Sequence, residues 1–316
     1  MAHTKVEDPS RLTVFLAGAT GVIGRRVIPL LVAAGHRVTA PGRTREKRAD
    51  LQRAGATAIE VDLFDRAALR RVLPGHDVVI NLATHIPPSS RAFFPGVWRE
   101  NSRVRKVVSA NLTIAAPASG VGRFIQESFA PIYEDAADRW IDEGGPIRVA
   151  RYNRAVLDAE AAAERVTQEG GAGVALRFAY FYGADSDFTE DAIRYVRRSW
   201  APAFGSPEAF ISSVSHDDAA AAVVAALGVL PGIYNVCDDR PVRRREFADA
   251  LAAALRVPRP KFFPAWVAKL AGSLGETLAR SQRISNAKLR AASDWTPRYP
   301  SVVEGWQTVL AELGFR

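Results

Sequence analysis

The 316-residue sequence contains a single cysteine, Cys237, so no internal disulfide can form and nothing points to an oxidising compartment. Its five histidines, His3, His36, His76, His85 and His216, are scattered without the close spacing of a metal pair, and no metal is expected. Long apolar runs are missing too: stretches such as 219–230 are too short to span a bilayer, and no membrane partner is expected. A charged n-region followed by an apolar h-region is absent from the start, where the polar residues 1–11 run directly into a strand, so the expected location is cytoplasmic. Also lacking are internal repeats, low-complexity linkers, a nucleophile elbow, a Walker lysine and a Cys/His pair. Negative charge is in deficit, with a formal net charge of +8. The basic clusters at 43–48, 197–198 and 243–245 are nevertheless separated and lack interleaved aromatics. Solvated faces and phosphate capture account for them better than nucleic acid does.

What is present is the composition of an ordinary folded protein, 48% hydrophobic and 24% charged, long enough to bury a substantial core. Residues 12–16 are a short apolar run rich in β-formers, followed at once by a glycine-rich turn. After the turn Val27, Leu30, Leu31 and Ala34 recur at helical spacing, and Gly35 ends the segment. The alternation continues with strands at 38–40, 58–61, 78–82, 123–126 and 174–177 and helices at 67–73, 104–118 and 151–166. Strands alternating with helices imply an α/β fold of Rossmann type, a doubly wound parallel sheet with helices on both faces. Beyond Gly183 prolines punctuate shorter elements, which predicts a smaller C-terminal substrate lobe. The expected division is a dinucleotide-binding domain at 1–183 and a lobe at 184–316, with 211–240 returning to the first. There Ser215-His216-Asp217-Asp218 reads as a capping signal and 232–236 as another sheet strand.

The turn Gly18-Ala19-Thr20-Gly21-Val22-Ile23-Gly24 joins a strand to a helix inside a strand–helix–strand unit. Pyrophosphate must approach the main chain and the helix N-terminal amides there, so side chains must be minimal, as Gly18, Gly21 and Gly24 ensure. NAD-binding units usually place a carboxylate about 20 residues on, at the end of the second strand, to hold the ribose hydroxyls. Here the chain reads Ala40-Pro41-Gly42-Arg43-Thr44-Arg45, with no carboxylate before Glu46. Arg43 is suited to a 2′-phosphate, which favours NADP over NAD. By position, Asp62 and Leu63 are candidates for the adenine and Leu82, Ala83 and Thr84 for the ribose.

These residues resemble the extended, here atypical, short-chain dehydrogenase/reductases, the NAD(P)-dependent epimerase/dehydratase group. The likeness covers nearly the whole chain. It rests on 17–24, Val61-Asp62-Leu63, Asn81-Leu82-Ala83, Arg123-Phe124-Ile125 leading to Ser128, Leu176-Arg177, Tyr182-Gly183, Ser215-His216-Asp217-Asp218, Tyr234-Asn235-Val236 and Trp295-Thr296-Pro297-Arg298-Tyr299-Pro300. The resemblance implies a homodimer and a Tyr-x-x-x-Lys pair with a Ser or Thr from the preceding strand. Tyrosine exchanges a proton with substrate, lysine lowers its pKa and binds ribose, and the hydroxyl holds substrate. Tyr152 begins the matching helix and Glu160 occupies a position where the family often has a carboxylate, but position 156 is Val156. Without the lysine, Tyr152 is expected near its reference pKa of about 10. Phe129 falls on the hydroxyl position, with Ser128 one residue early. Arg151 or Arg154 are candidate substitutes for the lysine, although neither shares the face of Tyr152 as position 156 does.

Phe129, Tyr133, Tyr180 and Tyr182 follow strands, beyond whose carboxyl ends open α/β sheets bind ligands; Phe129, Tyr180 and Tyr182 are expected to line a pocket for an apolar or aromatic metabolite. Two readings stand. One is an NADP-dependent oxidoreductase or epimerase-like enzyme using Tyr152, Ser128 or Tyr133 in a modified arrangement. The other is a non-redox enzyme or a nucleotide- or ligand-binding regulatory protein on a degenerate fold, motivated by Val156.

Overall fold

The computed structural model describes residues 11–315 except 95, 117, 118, 265 and 271. Strands Thr13–Ala17 (β1), Arg37–Pro41 (β2), Thr57–Ile59 (β3), Val78–Asn81 (β4) and Arg123–Phe129 (β5) join Ala172–Phe178 and Gly232–Val236 in one seven-stranded sheet. Every neighbouring pair in it is parallel. Its order runs β3, β2, β1, β4, β5, Ala172–Phe178, Gly232–Val236. The direction of winding therefore reverses between β1 and β4, which opens a crevice at the carboxyl ends of those two strands.

A strand covered on both faces is largely apolar, and residues 14–17 and 78–81 are all buried, Asn81 among them with its amide bonded to Gln126. On one face Val14, Leu16 and Ile80 pack with Val27, Ile28 and Leu31 of helix Gly24–Ala33 (α1) and with Ala219, Ala222 and Val223 of helix His216–Ala225. On the other, Phe15, Val79 and Phe124 meet Leu69, Val108, Leu112, Ala163 and Val166. A third core, built on Tyr182, Phe247, Leu251 and Trp306, belongs to the C-terminal lobe.

Several elements depart from their expected bounds for identifiable reasons. β5 runs on to Phe129 because the polar Gln126, Glu127 and Ser128 find buried partners rather than ending the strand. The helix expected at 104–118 starts at Arg99, passes through a π-helical turn at Val104–Val108 and continues over Ser109–Ala115. Residues Arg151–Asn153 form a separate 3-10 turn ahead of helix Ala155–Gln168. Helix His216–Ala225 is capped by Ser215, whose hydroxyl accepts from the Asp218 amide at 3.0 Å.

The lobe closes over the carboxyl end of the sheet through short paired segments. Tyr180–Tyr182 pairs in parallel with Ser213–Ser215, and Trp140–Ile141 pairs in parallel with Arg283–Ile284. Helix Gly272–Ala279 lies against the turns Ala130–Ile132 and Arg151–Asn153, so it covers the end of β5 and the start of the Tyr152 helix. Arg26 of α1 is tied to the lobe side by Asp217 (2.7 Å) and Asp185 (2.8 Å). Burial and the neighbouring Arg26 push His216 down to about 3, so it meets Asp185 as a neutral ring.

Candidate functional site

The turn after β1 is crowded by its own backbone. Gly18 has φ +79°, in the region only glycine occupies freely, and a Cβ there would lie 2.4 Å from the Leu82 carbonyl carbon. A Cβ on Gly24 would lie 2.2 Å from the Gly18 oxygen. The turn is thus pressed between β1 and the end of β4, with Thr20 and Gly21 exposed at its rim. Ile23 caps α1 without any side-chain hydrogen bond, and the amides of Val22 and Ile23 find no protein acceptor among the described residues. Open amides at a helix N-terminus, beside a chain that tolerates no side chains, fit a dinucleotide pyrophosphate.

The other cofactor candidates surround the same crevice. Arg43 follows β2 exposed, with no ion pair among the described residues, while Arg48 beside it bonds the Gly42 carbonyl at 2.9 Å. The Asp62 carboxylate accepts from the Phe64 amide at 2.9 Å, which fixes the turn that carries Leu63. Leu82 is buried and Ala83 half-buried, its amide held by Asn81 at 3.2 Å, and Thr84 is exposed.

Tyr152 lies at the inner end of the crevice, its ring 4.7 Å from Trp98 and its hydroxyl beside Thr277. Burial pushes it up to about 12, while Thr277, Arg280 and Arg105 pull the other way. The absent lysine is replaced in space by the fully buried Val156, and Arg151 and Arg154 point into solvent. The positive charges near Tyr152 come instead from distant parts of the chain. Arg105, in the π-helical turn, donates to Asn153 and to Glu127, both at 2.5 Å. Arg280, in the lobe, donates from one nitrogen to the carbonyls of Tyr133 (3.0 Å) and Arg148 (2.8 Å).

Ser128 and Tyr133 are brought together elsewhere. The Ser128 hydroxyl donates to Glu160 at 2.5 Å, and Arg177 forks onto the same carboxylate at 2.7 and 2.8 Å. Arg177 also donates to the Tyr133 hydroxyl (2.9 Å), which donates onward to Asn235 (2.8 Å). The five side chains tie β5, Ala172–Phe178, Gly232–Val236 and helix Ala155–Gln168 together inside the protein, with Ser128 and Tyr133 both fully buried. Burial raises Tyr133 to about 12. Strand alternation accounts for Ser128: it shares a face with its register partner Arg177, whereas Phe129 turns the other way, 5.9 Å edge-on to Tyr180.

The three expected pocket aromatics are separated too, by depth along the strand rather than by face. Phe129 and Tyr180 meet at the crevice, but Tyr182, two residues deeper in the same strand, is wholly buried against Trp306 in the lobe core. Sequence reading did not single out Arg105, Asn153, Arg244, Thr277 or Arg280. One signal was available: Glu127 within an apolar strand requires a buried cation. A shallow depression of about 530 Å³ beside Ala221, Val224, Ser293 and Trp295 lies by the end of helix His216–Ala225, toward the amino ends of the strands, far from these groups. Among the described residues there is no cluster of three or more metal-ligating side chains and no helix long and apolar enough to cross a membrane.

Comparison with known proteins bears on this geometry. Residues 18–228 match the family described as NAD(P)H-binding. The chain is 29% identical to a 3-diazoavenalumate denitrifying reductase of a Streptomyces species, over 93% of this chain and 99% of that protein. It is 27% identical to a 4-hydroxy-2-methyl-3-oxo-4-farnesyl-3,4-dihydroquinoline-1-oxide ketoreductase of Stigmatella aurantiaca, over 84% of this chain and 80% of that one. In fold it is similar to the human epimerase family protein SDR39U1, solved with NADPH, with a TM-score of 0.79 and 21% identity over 95% of this chain and 99% of that one. The fold is thus NAD(P)-binding and oxidoreductase- or epimerase-like. With the match running from the glycine turn to the end of helix His216–Ala225, the chain belongs to the NAD(P)H-binding family.

Proposed function

We propose that the protein is an NADP(H)-dependent reductase of a small aromatic or apolar metabolite, in which Tyr152 gives the proton and Arg280 and Arg105 supply, from other parts of the chain, the positive charge that the family motif draws from a lysine. The observation that carries this reading is the setting of Tyr152, a half-buried phenol 4.7 Å from the Trp98 ring and beside Thr277, with Arg280 and Arg105 near. Its removal from water pushes it up to about 12, so it holds its proton at neutral pH. An epimerase must begin by taking a proton from a substrate hydroxyl, which asks for the phenolate. A reductase needs the phenol, and this tyrosine carries its proton throughout the neutral range.

Val22 and Ile23 amides would hold the pyrophosphate, and Arg43 the 2′-phosphate that distinguishes NADP. When bound, the dinucleotide supplies the hydride. Tyr152 donates its proton to the substrate oxygen as that atom gains charge, while Arg280 and Arg105 stabilise the phenolate left behind. Phe129 and Tyr180 give the substrate an aromatic wall, and the lobe helix Gly272–Ala279 keeps water away. Ser128 and Tyr133 serve as positioning residues: their network fixes β5 and the helix that follows Tyr152. The two reductase-named relatives support this direction of reaction.

NADPH titration followed by nicotinamide fluorescence tests the cofactor, and NADPH oxidation across a panel of aromatic ketones, aldehydes and enones tests the chemistry. Tyr152→Phe should lower turnover by roughly 10²- to 10⁴-fold with little change in NADPH affinity. The wild-type rate should stay flat from pH 6 to 9 as far as this group controls it. Failure to bind either NADPH or NADH, or unchanged turnover in Tyr152→Phe, overturns the proposal. NADPH binding with no oxidation by any carbonyl would instead favour a purely ligand-binding role, to which Val156 and Phe129 lend support.

A further inference from the structure

Beyond Tyr152, the crevice ends in positive charge that the protein itself does not neutralise. Arg244, at the start of helix Arg244–Ala254, is only 2% exposed, yet among the described residues its side chain finds acceptors only in the carbonyls of Leu278 (2.7 Å) and Arg280 (2.6 Å), both bonded by one terminal nitrogen. Its other terminal nitrogen and its Nε are buried without a partner, and so is the Tyr180 hydroxyl. Arg280 uses one nitrogen on two carbonyls, and its remaining donors have no acceptor among the described residues. Neither arginine forms an ion pair there. The carboxylates facing them are Asp135, occupied by the amides of Ala137 and Ser281, and Glu276 on the covering helix. Other buried arginines of this protein are treated differently: Arg105 faces Glu127 and Arg177 faces Glu160.

A buried guanidinium without an anion is expensive, and the free Nε and second terminal nitrogen of Arg280, on one edge of its guanidinium, match a carboxylate as a fork, to which Arg244 adds a single donor. We propose that Arg280 and Arg244, with the Tyr180 hydroxyl, form a carboxylate subsite, so that the substrate is an aromatic or apolar acid whose anionic end is anchored deep to Tyr152. This rests on the reductase reading and narrows its substrate class. The carboxylate accepts N–H donors from both arginines and the O–H of Tyr180, and its ring or chain lies along Phe129 and Trp98. Because Arg244 holds the carbonyls of Leu278 and Arg280, an acid arriving there engages the same segment that ends the covering helix.

Binding of benzoate, cinnamate and phenylpyruvate to the NADPH-loaded full chain, each against its neutral amide, tests the subsite by calorimetry. At least one acid should bind ten times or more tightly than its amide. Arg280→Gln should reduce that ratio to near one. Tyr180→Phe, which keeps the ring and so the packing, should reduce it severalfold while NADPH affinity is unchanged. No acid preferred over its amide, or a preference that survives both substitutions, overturns the proposal. Acid binding in a protein that takes up no dinucleotide would uphold the subsite while refuting the reductase reading.

Discussion

Replacement of Arg105 by methionine tests whether the Arg105–Glu127 pair holds the floor of the crevice. Arg105 and Glu127 are 2% and 8% exposed and 2.5 Å apart, and the second Glu127 oxygen already lacks a donor. Removing one member of such a buried pair costs about 3–5 kcal/mol when the other stays charged. Burial pushes the Glu127 carboxyl above its ordinary value of 4.5, with Arg105 pulling against it. In Arg105→Met that pull is gone, and the folded state retains the proton that the unfolded chain gives up above about 4.5. The folded state then binds more protons than the unfolded one, so stability falls as pH rises. The slope is about 1.4 kcal/mol per pH unit until Glu127 ionises in the fold. Urea unfolding should therefore show a small loss at pH 5 and a loss near the full cost at pH 8. Adding Glu127→Gln removes the charge and should restore about 2 kcal/mol at pH 8 while flattening the pH dependence. An equal loss at pH 5 and pH 8, or a double variant no more stable than Arg105→Met, would refute the reasoning.

Two further outcomes concern the dinucleotide. Arg43→Ala should weaken NADPH binding by roughly tenfold or more and leave NADH binding unchanged, since only the former carries the 2′-phosphate; equal losses in fluorescence titrations would remove Arg43 from that role. Gly24→Ala places a methyl group 2.2 Å from the Gly18 oxygen and 2.6 Å from the Ala19 Cα, both backbone atoms that cannot swing aside. It should lower stability by about 1–3 kcal/mol and impair NADPH binding, and wild-type behaviour in thermal unfolding and titration would contradict the packing argument.

The sequence by itself determined the Rossmann-type sheet and its glycine turn, because both follow from local rules. A strand covered on both faces is largely apolar along its length, and a phosphate turn must be free of side chains. Alternation of short apolar runs with helical spacing was enough to place six strands and four of the helices, and Ser215 with Asp218 announced a fifth. Even Val156 and Phe129, the departures from the family motif, were legible as single letters. Only the tertiary structure decided what surrounds Tyr152. Arg105 and Arg280 are 47 and 128 residues away in the chain and reach the phenol because the π-helical turn and the lobe converge on the end of β5. Local spacing pointed to Arg151 and Arg154, but both face solvent. The same holds for Ser128 and Tyr182: one residue of register in a strand decides whether a hydroxyl meets Glu160 or the crevice, and two residues of depth decide whether a tyrosine lines a pocket or fills a core. Charge placement and strand facing are properties of the assembled sheet and lobe, which is why the fold was written in the sequence and the chemistry of the site was not.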